Sequence, residues 1–245
     1  MENNTIEQTL VLIKPDALLN SLTGYILSTL SEFHSGLRFA GAKIVHVHRM
    51  LAEEHYAEHR GKAFYPSLLD YIMGRIHYPH QPERRRVIAI VFRGNCAVEK
   101  IREIVGPTDP HQARKEKPGC VRSLGTVVPL RDESGQVISS RIENLIHASA
   151  TAKEAEREIK LWFRPDDIPP GMRAYPVEVS DAHYYFKDGT LLTDYQPGST
   201  CLMAPGNVAW QTDLQALKLL AQASPAPVTL ESVVAKYLIN AQQEP

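Results

Sequence analysis

Apolar residues along this chain fall into a few sharply bounded runs. Thr9–Lys14 reads TLVLIK, with unbroken apolar positions from Leu10 to Ile13, and Pro15 follows directly. A residue before proline is biased towards extended backbone, so the run predicts a buried strand that stops there. Val87–Phe92, VIAIVF, predicts a second buried strand. Between them, Leu22–Leu37 carries Ile26, Leu27, Leu30 and Phe33 at helical spacing, and Phe39–Val47 returns to strand character. Leu51–Met73 predicts two short helices broken at Gly61. Ala97–Val105 places Val98, Ile101 and Val105 on one helical face. Cys120–Val128 and Ile142–Ile146 are short strand candidates, and Ala152–Phe163 predicts a helix.

That order fits an α/β fold of the α+β sandwich kind: a ferredoxin-like β-α-β-β-α-β core with an antiparallel sheet covered by helices. A doubly wound sheet would need more strands and a more regular alternation. After Phe163 the texture changes. RPDDIPPGMRAYP is proline-rich and extended, and HYYFKDGTLLTDY centres on Asp188-Gly189, a two-residue hairpin turn. Trp210, Leu214, Leu217 and Ala221, then Leu230, Val233, Val234, Tyr237 and Leu238, mark two amphipathic helices split by SPAP. The expected organisation is a domain over residues 1–165 and an extension over 166–245 made of a linker, a hairpin and two helices.

Composition narrows the class. The 245 residues are 43% hydrophobic and 22% charged, which suits a soluble globular chain. Formal net charge is -1, so no global basic field calls for nucleic acid. The basic runs Arg84–Arg86 and Ala113–Lys117 read as solvated surface. Cys96, Cys120 and Cys201 lie far apart without a CxxC, which fits a reducing compartment. No apolar run reaches the roughly 18–20 residues of a membrane span, and MENNTIEQ is unlike a signal peptide. A cytoplasmic setting is expected.

Neither GxxxxGK[ST] nor a strand-following GxGxxG is present, so a nucleotide site here would need side chains to hold phosphates. Lys14, Arg102 and Arg122 sit at element ends or on a helix, yet each taken singly reads as a surface charge. His147 differs because Thr151-Ala-Lys-Glu154 has the form of a capping box, which starts a helix just beyond it. Glu158 borders the apolar stripe of Ala155, Ile159, Trp162 and Phe163, and a carboxylate there needs a partner. His147 could be that partner, with Ser149 adding a hydroxyl. A packed histidine beside a helix cap remains the default on local pattern alone. His55 and His59, at i and i+4, would share a helix face as metal pairs do, but no third ligand stands at a motif spacing. His46 and His48 alternate as they would on a strand.

TLVLIKPDA, HYAEHRGKAFYPSLLDYI, IREIVGPTDP, KPGCVR, NLIHAS and AEREIKLWF occur in that order. Together they resemble the nucleoside diphosphate kinase family, over roughly Thr5 to Pro165. The resemblance implies the ferredoxin-like sandwich and transfer of a γ-phosphate from a nucleoside triphosphate to a nucleoside diphosphate through a phosphohistidine. It assigns that histidine to His147, its orienting carboxylate to Glu158 and a supporting hydroxyl to Ser149. Lys14, Arg102 and Arg122 would neutralise phosphate oxygens, Thr108 would donate to a phosphate and Tyr56 would stand near the transferred group. Asn144 would contact the sugar, Phe64 would stack on the base and Leu68 would pack near it. Mg²⁺ would enter with the nucleotide, held by its phosphates, and a homo-oligomer is implied.

Departures from the family pattern are local. The usual HGSD is HASA here, KPDG is KPDA, and an arginine common shortly after it is Asn20. IHYPHQPERRR is extended, and PLRDESGQVISSR is an insertion expected to form a hairpin near Ser134-Gly135. These changes and the added tail support an alternative: a non-catalytic nucleotide-binding regulatory or interaction module on the same fold. The tail's apolar helix faces must be covered, by this chain, by a second subunit or by a partner.

Overall fold

The structure is a computed structural model that describes residues 6–239. The chain divides into two compact units between Ile159 and Lys160. In the first unit, β1 (Ile6–Ile13) leads into a short helix α1 (Pro15–Leu19), and then α2 (Thr23–Thr29), α3 (Glu32–Ser35) and β2 (Arg38–Val45). Helices α4 (Arg49–His55) and α5 (Tyr65–Ile72) precede β3 (Val87–Asn95), α6 (Ala97–Val105) and α7 (Pro110–Glu116). A hairpin of β4 (Thr126–Arg131) and β5 (Val137–Glu143) precedes β6 (Ile146–Ala148) and α8 (Ala152–Trp162). The division of the chain falls inside α8.

The main sheet has the order β2-β3-β1-β6 with every neighbouring pair antiparallel. With the β4–β5 insertion set aside, this is the β-α-β-β-α-β topology. Central strand β1 pairs along its length with β3, for example Val11 with Ile90, and with β6 through Leu12 and His147. Its residues Leu10 to Ile13 are fully buried on both faces, which is why the sequence there is continuously apolar rather than alternating. Val11, Ile13, Ile90 and Phe92 pack with Ile26, Leu30, Ile101 and Val105 from α2 and α6 into one core layer.

Three expectations change. The helix expected over Leu22–Leu37 breaks at Leu30–Ser31, where Ser31 caps α3 by accepting from the His34 amide. The strand with His46 and His48 ends at Val45, and His48 instead caps α4, accepting from the Leu51 amide at 3.4 Å. Cys120–Val128 is not one strand. Val121–Leu124 forms a tight turn, and Thr126 onward pairs with β5 outside the main sheet. That hairpin turns as expected near Ser134-Gly135, where the Asp132 carboxylate accepts from Ser134 and Gln136 amides.

The second unit holds β7 (Val177–Val179), β8 (Tyr184–Lys187), β9 (Thr190–Leu192), β10 (Thr200–Met203), β11 (Val208–Trp210), α9 (Gln211–Ala221) and α10 (Leu230–Val234). Asp188 and Gly189, both at positive φ, join β8 to β9 as the expected hairpin. β10 adds to β8 in a three-stranded sheet, and β11 pairs with β7. Trp210 is buried, its indole N–H donating to the Phe163 carbonyl at 2.7 Å. Lys236 and Asp213 form a buried ion pair at 3.0 Å.

Candidate active site

The local cause of the site is a backbone kink. Leu145 takes a left-handed φ of 70°, and its amide donates to the Asp16 carboxylate at 2.9 Å. The kink ends β5 and starts β6, so the single strand expected over Ile142–Ile146 is two strands in two different sheets. It also turns Asn144 inward. Asn144 accepts from the Lys14 ammonium at 2.6 Å and donates to the Thr108 carbonyl at 2.8 Å.

His147 follows on β6, paired with Leu12 of the central strand. Its Nε2 lies 2.9 Å from Glu158 Oε2 on α8. The Ser149 hydroxyl donates to the same Glu158 oxygen at 2.6 Å and accepts from the Leu10 amide at 3.1 Å. Thr151 starts α8 by accepting from the Glu154 amide, while the Glu154 carboxylate accepts from Ala150 rather than from Thr151, one residue earlier than a regular capping box. Burial works against ionisation of Glu158, but the His147 imidazole and the Ser149 hydroxyl outweigh it and hold the carboxyl at about 2. Glu158 is therefore an anion that holds hydrogen bonds to both His147 and Ser149. With Nε2 engaged, Nδ1 is the ring nitrogen left for chemistry.

A cleft of about 560 Å³ opens in front of this pair. It is lined by Lys14, Tyr56, Phe64, Leu68, Arg102, Thr108, Arg122, Asn144, His147 and Glu158. Every expected site residue is there except Ser149, which lies fully buried behind Glu158. Lys14 and Arg122 are buried cations. Burial lowers the Lys14 ammonium to about 8, and burial together with the nearby Arg102 charge lowers Arg122 to about 10. Arg122 donates to the Gly106 carbonyl at 3.0 Å and approaches the Thr108 hydroxyl at 3.4 Å, and its buried Nε finds no acceptor. Lys14 feels the carboxylates of Asp16 and Glu143, but both cations are desolvated, and that makes the cleft attractive to a polyanion. Burial also raises the Tyr56 phenol, so it stays a neutral donor.

The i, i+4 spacing predicts His55 and His59 on one helix face. That pairing fails because α4 ends at His55. His59 sits on the following turn beside Tyr56 and Phe64, whereas His55 is buried with its ring centroid 4.6 Å from that of His147. Burial and then the neighbouring His147 push His55 well below its ordinary range. Ligand atoms of His55, His147 and Glu158 lie within 4.8 Å of one another. Within that cluster Glu158 is hydrogen-bonded to His147, and His55 packs on the His147 ring. The sequence reading also missed Ser139, Ser140, Arg141 and Ile142, which line the cleft from β5. The hairpin was legible as an insertion, but nothing local said which way it would fold.

These features define an α/β protein of ferredoxin-like topology that pairs a histidine with a carboxylate in a cation-rich cleft. The family model described as "Nucleoside diphosphate kinase" matches residues 7–168. The nucleoside diphosphate kinase of Pyrococcus abyssi is 40% identical over 168 residues, 69% of this chain and 91% of that protein. That of Thermus thermophilus is 36% identical over 163 residues, 66% of this chain and 99% of that protein. Among solved structures, the Aquifex aeolicus nucleoside diphosphate kinase superposes with a TM-score of 0.53 at 28% identity, covering 67% of this chain and all of that one. The chain belongs to the nucleoside diphosphate kinase family. The family model ends at Ile168, so the residues after it lie outside that match.

Proposed function

We propose that this protein moves the γ-phosphate of a nucleoside triphosphate to a nucleoside diphosphate in two displacements through His147. Nδ1 attacks the γ-phosphorus, the bond to the β–γ bridging oxygen breaks, and the nucleoside diphosphate leaves with that oxygen's charge. A terminal oxygen of the second diphosphate then attacks the phosphohistidine, and the P–N bond breaks to restore the imidazole. The observation that carries the reading is the 2.9 Å His147–Glu158 contact facing a cleft with Lys14, Arg102 and Arg122.

The family supplies a role for each residue, and the setting of each supports it. As Nδ1 bonds to phosphorus the ring gains positive charge, and ionised Glu158 stabilises it across Nε2–H. Ser149 holds the carboxylate in place. Lys14, Arg102 and Arg122 neutralise phosphate oxygens, and Thr108 and Tyr56 donate hydrogen bonds. Phe64 and Leu68 receive the base, and Asn144 contacts the sugar. The cleft carboxylates are Glu58, Glu154 and Glu158, and the last is already engaged. A divalent cation, with Mg²⁺ the expected one, would therefore ride on the phosphate oxygens and supply charge neutralisation there. Among the described residues no helix is long and apolar enough to cross a membrane. A cytoplasmic setting and a homo-oligomer are part of the same reading.

Incubation with ATP and Mg²⁺ followed by intact mass tests this directly. A single acid-labile phosphate adduct is expected, absent in His147→Ala. An unmodified wild type, or an adduct that survives His147→Ala, overturns the assignment.

A further inference from the structure

Three side chains from three elements meet at the reacting histidine. His55 closes α4, His147 lies on β6 and Glu158 lies on α8. One ligand atom from each lies within 4.8 Å of the other two. The His55 ring stands at 78° to that of His147, with 4.6 Å between centroids, and His147 Nε2 is 2.9 Å from Glu158 Oε2. The chain offers His55 no third ligand at a motif spacing, yet the fold brings it two from distant elements.

Their chemistry is that of a transition-metal site. Two imidazoles and one carboxylate are a set that zinc takes while keeping a fourth position open. Imidazole suits zinc, whereas Mg²⁺ and Ca²⁺ select oxygen. Zinc bonds of about 2.0–2.1 Å place tetrahedral ligands roughly 3.3 Å apart, so side-chain adjustment brings the three groups to one ion. Binding needs neutral imidazoles and an ionised carboxyl. Burial keeps His55 neutral, and Glu158 is already ionised. An outer shell is also in place, because the Ser149 hydroxyl donates to Glu158 Oε2 at 2.6 Å. Arg157 approaches the other oxygen, 3.8 Å from Oε1, and so leaves Oε2 to the ion. All three ligands line the cleft, which gives an ion its way in and leaves the fourth position to water.

We infer that His55, His147 and Glu158 form a zinc site, and that Zn²⁺ bound there switches off the reacting histidine. A neutral imidazole has one nitrogen with a proton and one with a free lone pair. An ion on Nδ1 occupies the nucleophile itself. An ion on Nε2 displaces the hydrogen bond to Glu158, and the ring proton moves to Nδ1. Both arrangements deprive Nδ1 of the lone pair that attacks phosphorus. Metal binding stands on the ligand geometry alone, and the block rests on the phosphotransfer reading.

Titration of the full chain with Zn²⁺ against a chromogenic chelator measures the site. The wild type is expected to bind one ion that His55→Gln and Glu158→Gln each bind more than about a hundredfold more weakly, beyond the cost of losing an outer-shell partner alone. Zinc-edge X-ray absorption of the wild type tests the ligands without a substitution, and imidazole nitrogens with no sulfur are expected. A sulfur shell at about 2.3 Å would place the ion on cysteine and overturn the site. Uptake unchanged in both variants, or no uptake by the wild type, would overturn it as well. For the block, a metal buffer fixes free Zn²⁺ while ATP and Mg²⁺ are added and the acid-labile adduct is followed. Zinc-saturated wild type is expected to form no adduct and to regain it when the zinc is chelated. Adduct formation at the metal-free rate would overturn the block. A wild type that binds zinc through these ligands but forms no phosphohistidine when metal-free would instead overturn the phosphotransfer reading and leave the zinc site standing.

Discussion

Glu158→Gln keeps the shape of the side chain beside His147 and removes its charge. The carboxylate oxygen is 2.9 Å from Nε2 and the residue is 3% exposed, so solvent screens the pair weakly. At an effective dielectric of about 20, unit charges at that separation interact by roughly 6 kcal/mol, which sets a ceiling. Charge develops only partly on the ring in the transition state, and the amide still accepts a neutral hydrogen bond. About 3 kcal/mol should remain, a loss of roughly a hundredfold in the rate of phosphohistidine formation. Rapid-quench measurement of the acid-labile adduct from ATP reads this rate directly, with ADP affinity expected unchanged.

The same carboxylate predicts a stability slope. Its pKa falls from 4.5 to about 2 on folding, so the folded state favours the ionised form. The contribution is present above pH 4.5 and is lost as pH falls towards 2, about 3 kcal/mol in all. Glu158→Gln should flatten that part of the wild-type profile in urea titrations. A variant that phosphorylates within threefold of wild type, with an unchanged acid slope, would refute the role of Glu158 as a charged orienting group.

Further predictions follow from single environments. Lys14 is lowered to about 8 by burial, and a bound phosphate should restore its charge, so ADP binding at pH 9 should take up protons; calorimetry in buffers of different ionisation enthalpy should give different observed heats, and identical heats would contradict this. Because folding lowers this base, its stability penalty is present at neutral pH and is relieved as pH rises from about 8 to 10.5. Gly106 has a φ of 86°, and a Cβ there would lie 2.2 Å from Cys120 Sγ, so Gly106→Ala should cost on the order of 2 kcal/mol or more in denaturant and weaken nucleotide binding through Arg122. In the extension, Asp213→Ala leaves the Lys236 ammonium buried and unpaired and should destabilise by about 3–5 kcal/mol, while Asp213→Leu with Lys236→Met should be close to neutral; equal losses in both would refute the ion-pair argument. Ala150→Asp places a carboxylate just before α8 and should raise stability by about 0.3–1 kcal/mol in the same titrations.

The candidate site was legible mainly through the ordered set of family motifs, because local pattern alone left His147 a packed histidine and each cation a surface charge. Lys14 stands where an apolar strand meets proline, and His147 stands before a threonine-capped helix. Glu158 interrupts an apolar stripe and so needed a partner, which proved to be His147 together with Ser149. Two kinds of residue escaped. His55 looked like part of a polar surface helix, and only the end of α4 turned it beneath the site. Arg141 sat in an insertion whose turn could be read, while its direction of folding could not.

The sequence by itself determined which segments would be strands and helices wherever burial imposes a pattern, the unbroken apolar runs of β1 and β3 and the helical stripe of α8. It determined the hairpin turns as well, because Asp188-Gly189 and Asp132 with Gly135 have short-range backbone requirements. Tertiary structure alone decided the rest. The positive φ of Leu145, held by Asp16 across 129 residues of chain, splits one apparent strand between two sheets. That split sends His147 to the central sheet and Arg141 to the hairpin. Which ring nitrogen faces Glu158, and which cations are desolvated, depend on groups brought together from distant elements. Periodicity reports only a residue's own neighbours, so those outcomes are set by long-range packing.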